Sequence, residues 1–225
     1  MKVDVQHRPA FAIAFVTLNP GESVVGESGA MVTMRGGVQI ETSARGGLFS
    51  ALKRKVLGGE SFFMNTFTAS AGAGEVGFAP PMPGDIHAHE MRGETLLVTS
   101  GCFLAAASTV QVDTQWGGAK TFFSREGLFL LRATGTGMLL LSSYGAVQKA
   151  TLTPGEKLTV DTGHCVAWGE KVGYNVKRVG GIKSTLFSGE GLVVELTGPG
   201  DVYLQTRSQD AFLSWLIPQL PTKSS

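Results

Sequence analysis

This chain is short of charge, of cysteine and of long apolar runs. Charged side chains make up 16% of 225 residues and the net charge is +1. That leaves no broad electrostatic footprint for nucleic acid, and oligonucleotide binding is the weakest of the readings kept open. No apolar stretch approaches the roughly 18 to 20 residues of a membrane-spanning helix. Met1-Lys2-Val3-Asp4 leads into an alternating strand, not a secretory signal, so a cytoplasmic location is expected. There is no Cys-x-x-Cys pair, which removes zinc ribbons and thioredoxin-type redox chemistry. Cys102 and Cys165 read as small buried hydrophobes in a reducing compartment. No Gly-x-Ser-x-Gly elbow is present. The Gly-x-Gly triplets lie between strands, not ahead of a helix, so they are not a dinucleotide fingerprint. Catalytic residues and cofactors are therefore not expected. Apolar residues at 43% fill a core and leave a surplus that favours a homo-oligomer.

What the chain has in abundance is glycine, 31 in all, and a repeated phrase. Gly-Glu, five residues, Ser or Thr, then Gly occurs as GESVVGESG at 21–29, GETLLVTSG at 93–101 and GEKLTVDTG at 155–163. Each copy is followed by a short apolar run, a glycine pair with a lysine, and a glutamate ahead of an apolar strand. A Gly-x-Gly triplet then ends that strand, at Gly72/Gly74, Gly135/Gly137 and Gly198/Gly200, and another apolar strand follows. A period of this length marks a chain built from similar supersecondary units. The short runs rich in Val, Leu, Phe and Thr, bounded by glycine, read as strands. The expectation is all-β: three pseudo-equivalent β-sandwich repeats in a prism-like single body, with a short C-terminal helix. The units are placed at 21–92, 93–154 and 155–207 within one domain, 1–217, followed by a tail, 218–225. An N-terminal strand region covers 2–18, with 10–18 read as one strand buried on both faces. The helix covers 208–217. Ser208 caps it, Asp210 suits its first turn, and Phe212, Leu213, Trp215 and Leu216 give an apolar stripe that plugs one end of the β structure.

Several stretches also carry a family resemblance. They are Pro20-Gly-Glu, Gly59-Glu-Ser-Phe-Phe-Met-Asn-Thr-Phe-Thr, Gly74-Glu-Val-Gly-Phe-Ala-Pro, Pro83-Gly-Asp-Ile and the closing Ser-x-x-x-Phe-Leu-x-x-Leu-Ile-Pro helix. Together they resemble the prokaryotic relatives of the altered-inheritance-of-mitochondria family, long catalogued as a domain of unknown function. The resemblance implies a fold similar to the tryptophan RNA-binding attenuator protein. It also implies an association with membranes through the mitochondrial relatives, and it supplies no catalytic residues.

One stretch invites a sharper chemistry. His87-Ala-His89, then Glu94 and Gly101, matches the first metal-binding motif of cupins, since histidines at i and i+2 of a strand share a face. His164 is a further weak candidate ligand. The repeats explain half of the motif, because Glu94 and Gly101 recur as Glu22/Gly29 and Glu156/Gly163 without upstream histidines. The leading cupin glycine is Pro81, and the second motif has Asp161 where proline belongs. A cupin-like metal-binding protein or enzyme therefore stands as the alternative, and surface or interface histidines as the preferred reading.

The segment 46–58 has no counterpart of equal length in the other units. Leu48, Phe49 and Leu52 can gather on one side, and Lys53, Arg54 and Lys55 make it basic. Such a segment can meet an anionic membrane surface or a protein partner, or pack on its own sheet. The expected function is a non-catalytic oligomeric scaffold or binding protein, associated with a membrane surface.

Overall fold

The structure is a computed structural model that describes residues 1–41, 64–114, 129–178 and 192–221. The segment 46–58, with Leu48, Phe49, Leu52, Lys53, Arg54 and Lys55, lies outside the described residues. So do the three glycine pairs and the glutamates that follow them.

The described chain is β throughout, with one short helix near its C-terminal end. The first five strands are β1 (Lys2–Gln6), β2 (Ile13–Leu18), β3 (Ser23–Glu27), β4 (Met31–Glu41) and β5 (Met64–Phe78). The next five are β6 (Ile86–Arg92), β7 (Leu96–Thr99), β8 (Phe103–Ala107), β9 (Val110–Thr114) and β10 (Leu130–Ser142). Then come β11 (Val147–Leu152), β12 (Lys157–Asp161), β13 (Cys165–Gly169), β14 (Gly173–Arg178), β15 (Leu192–Thr197) and β16 (Gly200–Gln205). The helix α1 spans Gln209–Leu216.

The glycine triplets behave differently from a turn. β5 and β10 run straight through theirs as single strands of 15 and 13 residues. Gly72, Gly135 and Gly137 take φ of 126°, 113° and 132°, where a Cβ would be strained. The strand therefore bends without ending, and its two halves meet different partners. The first half of β5 pairs with β3 and the second with β2. The first half of β10 pairs with β7 and the second with β6. Only the third triplet divides a strand. Pro199 has no N–H to donate to a ladder, and β15 and β16 lie on either side of it. β15 pairs with β12, and β16 with β11. In each stretch, then, the strand preceding the Gly-Glu phrase pairs with the strand that follows it much later: β2 with β5, β6 with β10, β11 with β16.

These half-strands build two full sheets. One runs β6–β10–β8–β3–β5–β4. The other runs β11–β16–β13–β7–β10–β9. Two partial sheets remain, β1–β2–β5–β4 at one end and β12–β15–β14 at the other. The apolar cores knit neighbouring stretches together. Ala14, Val16 and Leu18 of β2 share a cluster with Leu104, Ala105 and Leu140. Phe103, Leu139 and Leu141 share one with Val166, Ala167 and Tyr203. Leu97 and Leu130 join Trp168, Leu196 and Val202. Each buried Val, Leu or Phe side chain among them contributes about 1.5–3 kcal/mol. A forked ion pair adds a polar tie at the first of these contacts. Arg8 donates from Nε and Nη2 to the two oxygens of the buried Asp85 carboxylate, at 2.7 and 2.9 Å.

Two more sequence expectations change here. The run 10–18 is not one strand buried on both faces. β2 begins at Ile13 and alternates, with Ala14, Val16 and Leu18 inside, while Phe11 is 72% exposed. β1 covers one edge of β2 and β5 the other, and the outer face of this partial sheet is open. The helix is capped as expected, Ser208 Oγ accepting from the Ala211 N–H. It does not plug a core, however, because none of its residues is buried.

Candidate functional site

β6 carries the histidine pair. Alternation places His87 and His89 on the side of the buried Met91, where the corresponding residues of β2 are core. They are half-buried instead, because a polar group from β16 meets them. The Tyr203 ring lies 4.8 Å from the His87 ring, and its hydroxyl is 3.2 Å from His89 Nδ1. His89 Nε2 is 2.8 Å from Glu94 Oε1. The result is a chain of hydrogen bonds, tyrosine to histidine to carboxylate. Lys149 on β11 stands over the tyrosine face at 5.8 Å and pairs with Asp201 at 2.8 Å. The Thr151 hydroxyl donates to the same Asp201 carboxylate at 2.6 Å.

The electrostatics follow from this placement. Burial lowers the His87 pKa, and the nearby His89, Arg8 and Lys149 charges lower it further. His87 is therefore held neutral near pH 7. Burial raises the Tyr203 pKa, so its hydroxyl keeps its proton. Burial works against the Glu94 carboxylate, but hydrogen bonds from His89 and from backbone N–H groups outweigh it and hold its pKa down.

The three phrase glutamates share one task and differ in a second. Glu22 accepts from the Asn19 N–H, Glu94 from the Arg92 N–H and Glu156 from the Thr153 N–H, each closing the turn before its strand. The remaining capacity goes to the Met1 amino group at Glu22, to His89 at Glu94 and to the Thr153 hydroxyl at Glu156. His87, His89 and Glu94 are thus brought together, but His164 is not among them. Its Nδ1 contacts the Gln205 carbonyl at 2.7 Å. Among the described residues, no three His, Cys, Asp or Glu side chains gather in a way that could hold a metal ion.

A separate hollow lies beneath α1. It has a volume of about 350 Å³ and is lined by Glu27, Met82, Cys102, Cys165, Gln205 and Leu213 among others. Burial raises the Glu27 pKa to about 7. Burial, then the Glu27 charge, pushes the Cys102 thiol up to about 12, so it is not a nucleophile near neutral pH. Both cysteines are buried and neither forms a disulfide. Gln205 spans the hollow's wall, donating to the Gly163 carbonyl and accepting from the Tyr144 N–H. Above it, Phe212 packs against Tyr144 and Trp215 at ring distances of 6.0 and 6.1 Å. Leu213, Trp215, Ile217 and Leu220 remain exposed, at 37%, 63%, 61% and 53%.

Sequence reasoning missed Tyr203, Lys149, Asp201 and Glu27. Tyr203 did leave a signal. It stands three residues past the second triplet glycine, where the other stretches have Gly77 and Leu140.

A family model described as mitochondrial biogenesis AIM24 matches residues 3–207. The chain belongs to the AIM24 family. An uncharacterized protein of Streptococcus pyogenes serotype M6 is 31% identical over 233 residues, covering all of this chain and 93% of the relative. An X-ray structure of a Streptococcus pyogenes protein superimposes with a TM-score of 0.81 at 29% identity, over 97% of this chain and 99% of that one. AIM24 membership matches the resemblance read from the sequence and brings no catalytic assignment. No helix among the described residues is long and apolar enough to cross a membrane.

Proposed function

We propose that the protein is a non-catalytic, homo-oligomeric binding body in the cytoplasm that presents α1 to a lipid surface. Its body is read as three similar β-sandwich units in a prism-like arrangement, like those of the tryptophan RNA-binding attenuator protein. The recurring pairing of β2 with β5, β6 with β10 and β11 with β16 supports the triplication.

The observation that carries the functional reading is α1. No residue of the helix is buried, and 211–221 contains no charged side chain. Trp215 and Ile217 project with the flanking Leu213 and Leu220, a composition suited to the interfacial zone of a bilayer. A single eight-residue helix binds such a surface only weakly. An oligomer displaying several copies gains by effective concentration, commonly about 10²–10⁴-fold, which links the two halves of the proposal.

Flotation of purified protein with neutral and with anionic vesicles tests it. The protein should rise with both, and Trp215→Ser combined with Ile217→Ser should leave it at the bottom of the gradient. Wild-type protein that stays at the bottom with both vesicle types contradicts the reading. Lys53, Arg54 and Lys55 changed together to Glu should weaken only the anionic arm.

A further inference from the structure

The chain makes one kind of strand-to-strand joint twice. β3 pairs antiparallel with β8 as Val24↔Ala107, Val25↔Ala106 and Gly26↔Ala105. β7 pairs antiparallel with β13 as Leu96↔Gly169, Leu97↔Trp168 and Val98↔Ala167. Counted along the repeated phrase, the two joints have the same register. The fourth, fifth and sixth residues of one phrase meet the sixth, fifth and fourth residues after the closing glycine of the next.

The same count leaves one set of positions over. On one side are Leu158, Thr159 and Val160 of β12. On the other are Arg35, Met34 and Thr33 of β4. Among the described residues, β12 pairs only with β15 and residues 31–35 pair only with β5. The burial record agrees. β8 is buried along its whole length, whereas residues 31–35 are all exposed, with Met31 at 38%, Val32 at 54% and Met34 at 42%. An unpaired edge carrying apolar side chains is what natural sheets avoid unless something pairs with it.

The face beside that edge is uncovered too. It forms an open groove of about 720 Å³ between β1 and β4, with Phe15, Thr33, Arg35 and Glu75 on its walls. Gly77 faces this groove, and a Cβ there would meet Thr33 and Phe15. The residues at the equivalent place in the other stretches, Leu140 and Tyr203, are buried under a neighbouring stretch. One end of the molecule therefore shows one half of the joint, and the other end shows its complement.

We infer that β12 of one copy pairs antiparallel with residues 31–35 of a second copy, in the register Leu158↔Arg35, Thr159↔Met34 and Val160↔Thr33. The inference rests on the oligomeric reading above and assigns its interface. The contact is heterologous, so copies join head to tail and either close a ring or extend. It completes a third sheet, β1–β2–β5–β4 continued by β12–β15–β14 of the neighbour, in the image of the two sheets each chain already contains.

Single variants Thr159→Cys and Met34→Cys, exposed to a mild oxidant each alone and as a mixture of the two, test it alongside native mass spectrometry of the unmodified protein. Both positions are exposed, so both variants should keep the wild-type melting temperature. A disulfide-linked dimer that forms in the mixture and not with either variant alone is the expected result. Met34→Lys should weaken assembly at least tenfold. An oligomer in the mass spectrum with no mixed cross-link sinks this interface and leaves the oligomeric reading standing. A monomer at all concentrations removes both. An intramolecular disulfide in the Met34→Cys/Thr159→Cys double variant shows the joint closing within one chain, and overturns the inference.

Discussion

Residues 103–107 and residues 31–35 stand at the same offset from the closing glycine of two copies of the Gly-Glu phrase and meet opposite fates. Phe103-Leu104-Ala105-Ala106-Ala107 is buried between β10 and β3. Among the described residues, Met31-Val32-Thr33-Met34-Arg35 is paired on one edge and bare on the other. Strand formation does not account for the contrast, since both runs stand two residues past the closing glycine of the phrase and both are strands. What differs is the neighbour. β8 receives a strand from the preceding stretch, whereas among the described residues no strand reaches the second edge of residues 31–35. Burial here is a property of the joint and not of the strand, and an exposed member of a repeated set marks where a joint is still to be made.

The largest expected effect breaks the comparison at its buried side. Phe103→Ala should cost about 3–5 kcal/mol, the range for deleting a buried phenyl ring. Met31→Ala should stay within about 0.5–1 kcal/mol for the monomer. Denaturant unfolding of both at low protein concentration checks the difference, and equal losses would show that the β4 edge is as packed as β8.

A smaller effect sharpens the contrast at the hollow that the joints surround. The Glu27 carboxyl has a folded pKa of about 7, against 4.5 for the free side chain. Between those values the folded state holds a proton that the unfolded state has released. Its contribution is present below about pH 4.5 and is lost as pH rises through about 7, a change on the order of 3 kcal/mol. Glu27→Gln should flatten that part of the stability profile. A wild-type profile with no decline across this window would refute the assignment.

The smallest effect on stability lies at α1. Trp215→Ser should alter unfolding by no more than about 0.5 kcal/mol, because the ring is mostly in solvent. Its consequence should appear only with vesicles. A large stability loss would mean the ring is packed and the helix unavailable.

Much of the fold was legible in the sequence, for reasons that particular residues make plain. The Gly-Glu phrase was visible because its glutamate has a local task, closing a turn onto N–H groups two or three residues away at Arg92, Asn19 and Thr153. Ser208 and Asp210 announced α1 for the same reason. The Gly-x-Gly triplets misled, since glycine bends a strand as readily as it ends one, and only Pro199 forces a break. The span 10–18 misled because an open outer face tolerates Ile13 and Phe15 beside the buried Ala14 and Val16. His87-Ala-His89 was read as a possible ligand pair from spacing alone. The residue that occupies His89 is Tyr203, 114 positions away, and no local pattern reports such a partner. The bare edges were equally hidden, because nothing in residues 31–35 or 157–161 says whether a neighbour arrives.

Amide hydrogen exchange on the β4 and β12 edges, followed against protein concentration, tests the central claim most directly. The outward N–H groups of residues 31–35 and 157–161 should exchange quickly in dilute solution and slow together as concentration rises. Those of β8 and β13, already paired on both edges, should be slow throughout. If the β4 and β12 edges stay fast at every concentration, or change independently of each other, the joint is not made between copies and the account is wrong.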